Sequence, residues 1–130
     1  MAVITANKYH LISIGLYAKH LNNEPVVFSE EECKRFAEAC LNDKSKPTTD
    51  FMDNKYVYDF SNVAFGPNDL IAYNPATKTY YSKTKEIVDI LNRYFSHDQR
   101  GHVMTHQLCQ YIEKLGKDLF SRNSNNQPIL

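Results

Sequence analysis

Apolar residues recur at helical spacing at both ends of this chain and at alternate positions in its middle, so the pattern changes period twice. Near the C-terminus, Met104, Leu108, Tyr111, Ile112, Leu115 and Leu119 share one face, which predicts a helix from Gly101 to about Phe120. Residues 5–21 are apolar around most of a helical wheel, with Lys8, Gly15, Lys19 and Asn22 as a narrow polar stripe. A helix this apolar belongs at the centre of a core or under a partner. The first helix is therefore a candidate homodimer surface. Gly15 costs such a helix about 1 kcal/mol relative to Ala.

The clearest start signal lies at Ser29. Ser29 followed by Glu32 is a capping box, and Phe28 is placed to staple onto Cys33. Glu30, Glu31 and Glu32 put negative charge at the positive end of the helix dipole. Cys33, Phe36, Ala37, Cys40 and Leu41 then line one face, predicting a helix over 30–42.

Residues 43–54 are polar and turn-rich, as a surface loop would be. Alternation follows: Tyr56, Tyr58 and Phe60 fall on one strand face, Val57 and Asp59 on the other. Gly66-Pro67 signals a turn, and Asp69–Tyr73 with Thr79–Ser82 form the arms of a predicted hairpin. Helical spacing returns over Thr84–Phe95, with Ile87, Leu91, Tyr94 and Phe95 inward, and residues 96–101 break it. The expected class is α+β: a small three-stranded antiparallel sheet packed by about four helices, in the order α-α-β-β-β-α-α. Residues 1–122 are expected to make a single domain, and residues 123–130 to be a polar, frayed tail.

Composition narrows the picture. A chain of 130 residues supports one core. Formal net charge is zero, which argues against a general polyanion binder. The charge is nevertheless uneven: residues 1–74 carry 7 basic against 10 acidic side chains, residues 75–130 carry 8 against 5. Three cysteines do not close a disulfide framework, so free thiols in a reducing compartment are expected. The N-terminus has no signal-peptide architecture and no apolar run approaches spanning length, placing the chain in the cytosol of its own cell or of an infected host.

Candidate chemistry is sparse. His102, His106 and Cys109 stand at i, i+4 and i+7, with Glu113 one turn further and His97 or Asp98 as a fourth ligand. That set suits zinc, and a metal-dependent hydrolase or nuclease is one alternative. The plainer reading is the solvated face of an amphipathic helix. His97, Asp98 and His102 also permit an acid–base pair, although a turn between helices is polar anyway. With 4 glycines and no nucleophile-elbow, zincin, Walker or dinucleotide motif, a non-catalytic protein without a cofactor is favoured.

The tyrosines are the second candidate. Tyr56, Tyr58, Tyr73, Tyr80 and Tyr81, with Lys78 at the hairpin turn, form a candidate partner-binding set. Together with Lys55, Lys83 and Lys85 they also permit a single-stranded nucleic-acid module, which neutral charge makes the lesser reading. Cys33 and Cys40 read as buried structural thiols, and His10 and His20 as hydrogen-bonded core or interface residues. The expected function is a small cytosolic factor that occupies a partner protein, of an inhibitor, immunity or phage anti-defence type.

Overall fold

A computed structural model describes residues 3–48, 55–95 and 106–120. In chain order these form β1 (Val3–Asn7), α1 (Lys8–Leu21), β2 (Val27–Ser29), α2 (Glu30–Asn42), β3 (Lys55–Asp59), β4 (Ile71–Asn74) and β5 (Thr79–Ser82). There follow α3 (Ile87–Ile90), a π-helical turn over Leu91–Phe95, and α4 (His106–Phe120). The class is α+β, with an antiparallel sheet in the order β2-β5-β4 and a separate parallel pair, β1-β3.

The expected helix over 5–21 begins three residues later. Val3–Asn7 is extended, and Asn7 caps α1: its side-chain oxygen accepts from the Tyr9 N–H at 3.0 Å. The Asn7 N–H in turn donates to His10 Nδ1 at 2.9 Å, so this fully buried histidine closes the box. The β-branched pair Ile4-Thr5 favours the strand that the helical reading passed over.

α1 is the centre of the molecule. It touches α2, α3, the π turn, α4, β2 and β5, and Leu11, Ile12, Ile14, Leu16 and Ala18 are buried. Most of the apolar residues that make the first helix a candidate homodimer surface are thus used inside the fold, while Leu21 at its end is 46% exposed. The polar stripe is also partly internal. Lys8 is buried, and its ammonium donates to Asn62 Oδ1 at 2.7 Å. At Gly15 a Cβ would stand 2.5 Å from Phe28 Cζ. The glycine that weakens the helix is what admits this ring, and Phe28 is fully buried there.

α2 follows its sequence signal. Ser29 Oγ accepts from the Glu32 N–H at 2.9 Å, and Glu32 Oε1 accepts from the Ser29 N–H at 3.2 Å. Cys33, Phe36 and Cys40 face inward. The Lys19 ammonium meets Glu32 Oε2 at 2.6 Å and ties α1 to α2.

The third antiparallel strand is β2, not the segment 56–60. β2 pairs with β5 through Phe28↔Tyr80, whereas β3 runs parallel to β1 through Ile4↔Tyr56 and Ala6↔Tyr58. A parallel pair needs a long crossover, which the α1–β2–α2 segment supplies. The expected helix over 84–95 is split: α3 is four residues long and passes into the π turn. Tyr94 is held there, its hydroxyl donating to Asp69 Oδ1 at 2.8 Å and accepting from the Leu70 N–H at 2.9 Å. Those bonds fix the loop ahead of β4 and shorten that strand from its expected start at Asp69.

α4 turns its apolar side inward, as its pattern predicts. Ile112, Gly116 and Leu119 are buried, while Gln110, Lys114, Lys117 and Asp118 are exposed. Gly116 sits close under its neighbours, where a Cβ would lie 3.1 Å from Phe36 Cζ. Residues 101–105 of the predicted helix, the turn over 96–100 and the tail lie outside the described residues. Among the described residues no helix is long and apolar enough to cross a membrane.

Candidate functional site

The hairpin β4–β5 and the first turn of α2 form one polar-stitched unit. Lys78 takes a left-handed backbone conformation at φ 54°, which closes the turn. Its carbonyl accepts from the Glu30 N–H at 2.9 Å, and the Tyr73 hydroxyl donates to Glu30 Oε2 at 3.0 Å. Helix start and hairpin tip therefore hold each other in place.

Strand alternation splits the tyrosines between two environments. On the inner face Tyr80 stacks in register with Phe28 and Tyr73, and is 4% exposed. On the outer face Tyr81 stands between Val27 and Ala72; Tyr81 is 38% and Val27 41% exposed. Tyr73, on the edge strand, has the inner orientation but is 36% exposed.

Beside Tyr73 lies a cleft of about 430 Å³, lined by Glu30, Asn62, Phe65, Tyr73 and Tyr80 among others. The Tyr73 and Tyr80 rings are 4.9 Å apart at 48°, and Phe65 meets Tyr80 at 6.1 Å and 72°. A second depression of about 330 Å³ shares Glu30 and adds Glu31, Lys34, Thr77 and Lys78.

Burial pushes the Tyr80 phenol up to about 12, with Cys33, Glu30 and Tyr73 adding to the shift. Lost hydration raises Tyr73 first, and its bond to Glu30 raises it further. Both phenols stay protonated near neutral pH and act as donors or ring surfaces, not as bases. Burial likewise pushes Cys33 and Cys40 up to about 12, so neither is a thiolate nucleophile.

The structure brings Tyr73, Tyr80 and Lys78 of the predicted partner set to this corner and sets Tyr81 on the open outer face. It does not bring Tyr56 there: that ring is 5% exposed, on the inner side of β3. Tyr58 is half-buried, its hydroxyl donating to the Pro47 carbonyl and its ring lying under the Lys46 ammonium at 5.2 Å. The lysines do not gather either. Lys83 donates to the Pro67 carbonyl at 2.9 Å, and Lys55 belongs to the other sheet.

Of the predicted metal ligands, His97 and His102 lie outside the described residues, as do the side chains of His106 and Cys109. Glu113 accepts an ion pair from Lys117 at 2.9 Å. Among the described residues no cluster of His, Cys, Asp and Glu is suited to a metal ion.

Glu30, Asn62 and Phe65 were not singled out by sequence. Glu30 reads as a helix-dipole acid and Phe65 as part of a turn, and no local signal joins residues 43 positions apart such as Glu30 and Tyr73. No protein-family model, no curated protein and no solved structure matches the chain.

Proposed function

We propose that this chain is a non-catalytic binding factor that works by occupying a partner protein, in the manner of an inhibitor, an immunity protein or a phage anti-defence protein. The observation that carries the reading is the outer face of the β2-β5-β4 sheet. There Val27 and Tyr81 are paired in register and open to water, on strands whose opposite face is locked into the core. An exposed tyrosine buries large area at small rotamer cost, and a braced hairpin loses little entropy on binding. Lys78, exposed at the tip beside Glu30 and Glu31, adds charges that orient a partner. Buried, protonated thiols at Cys33 and Cys40 suit a reducing cytosol.

A photo-crosslinking residue at position 81 tests this in the native cell, with position 88 as control, since Val88 is exposed on α3. One discrete protein adduct from position 81, absent from position 88 and weakened by Lys78→Glu, is the expected result. No adduct, or the same adducts from both positions, overturns it.

A further inference from the structure

The cleft beside Tyr73 has a chemistry that the outer face lacks. Its walls include three aromatic rings, Phe65, Tyr73 and Tyr80, with Tyr80 at 48° to Tyr73 and at 72° to Phe65. Aromatic faces carry negative potential, and a cation within about 6 Å of a ring centroid is attracted to it. Glu30 is the ionised side chain among the described residues that line the cleft. A carboxylate accepts several hydrogen bonds, so the bond from Tyr73 leaves acceptor capacity on Glu30. From these walls we infer that the cleft binds an organic ammonium group.

Other ligand classes fit less well. An anion meets the Glu30 carboxylate, and a purely apolar ligand would strip water from that carboxylate without replacing its partner. A metal ion would find a single carboxylate there. The Lys8 ammonium stands outside the lining residues and is held on Asn62 Oδ1 at 2.7 Å. Its positive charge on Asn62 works against a cation at that end, so the ammonium site is the part of the cleft beside Glu30 and the rings. A volume of about 430 Å³ accommodates either a small free cation or an extended side chain ending in one. Neither source depends on the outer face binding a protein.

Three probes titrated into the full-length protein, followed by amide NMR, test the inference: choline, Nα-acetyl-lysine methylamide, and 3,3-dimethylbutan-1-ol as the uncharged isostere of choline. At least one ammonium probe should shift the amides of Glu30, Phe65 and Tyr73 saturably, with the alcohol at least about 5-fold weaker. Choline binding more tightly than the lysine amide assigns a free quaternary cation, and the reverse order assigns a lysine side chain. Glu30→Gln should weaken the preferred probe about 5-fold or more, as should Tyr73→Ala, which removes one wall from an exposed edge strand. The inference is overturned if neither ammonium moves those amides, if the alcohol binds as tightly, or if both variants bind like wild type. Failure here leaves the crosslinking result at position 81 untouched, and the converse also holds.

Discussion

Tyr80 and Tyr81 are chemically identical neighbours with opposite surroundings. Tyr80 points under the sheet, between Phe28 and Tyr73 and against Phe65, while Tyr81 faces water beside Val27. The inner region packs around α1 and opens only at the cleft beside Tyr73, whereas the outer region presents the same residue types without a cover. Residue type alone therefore says little about role here. Strand parity decides it, and parity is set by the register that β2 and β4 impose on β5.

The largest expected contrast lies one strand away, between Phe28 and Val27. Phe28→Ala should lose about 3–5 kcal/mol in urea unfolding, because a fully buried ring leaves a cavity that Gly15 cannot fill. Val27→Ala should stay within about 0.5 kcal/mol, since its side chain already meets water. Comparable losses from both would show that the outer face is covered in the folded protein.

Gly15 sharpens the same contrast from the helix side. Gly15→Ala should be favoured by about 1 kcal/mol on helix propensity alone. The new Cβ would meet the Phe28 ring at 2.5 Å, however, and a well-packed core resists such intrusion at about 1–3 kcal/mol. Net destabilisation is the expected outcome, with Phe28→Leu in the same chain relieving part of it. A variant as stable as wild type would mean that the ring is free to move.

How much of this was legible in the sequence follows from where each signal resides. α2 was readable to the residue because Ser29 and Glu32 carry a local, reciprocal cap. The hairpin was readable from two short runs of aromatic and β-branched residues on either side of the Asn74–Lys78 turn. β1 and β2 were hidden because each is a short β-branched or aromatic run abutting a helix start. Their stability comes from pairing with residues about 50 positions away, as in Ile4↔Tyr56 and Phe28↔Tyr80. Gly15 looked like a defect and proved to be a docking place for a ring. The cleft was invisible for a related reason: Phe65, Tyr73 and Glu30 come from three segments, and only the folded topology assembles them.

The smallest effects come from Glu30 and Glu32, which repeat the comparison in charged form within one helical turn. Glu32 faces α1 and is gripped by Lys19 at 2.6 Å and by Ser29; Glu30 faces the cleft. Burial alone would raise the Glu32 carboxyl, but the bonds from Lys19 and Ser29 outweigh it and hold the group below its ordinary value. A carboxyl depressed in the folded state contributes stability that is present above its unfolded pKa of about 4.3 and is lost as pH falls through the lower folded value. Glu32→Gln should therefore cost roughly 1 kcal/mol at pH 7, and the gap to wild type should close progressively below about pH 5. Glu30→Gln should change stability by less than about 0.5 kcal/mol at pH 7, because its contacts are exposed. Urea melts at pH 7 and pH 3 on both variants decide the matter. A Glu32→Gln deficit that persists undiminished at pH 3 would show that its carboxylate charge is not what joins α1 to α2.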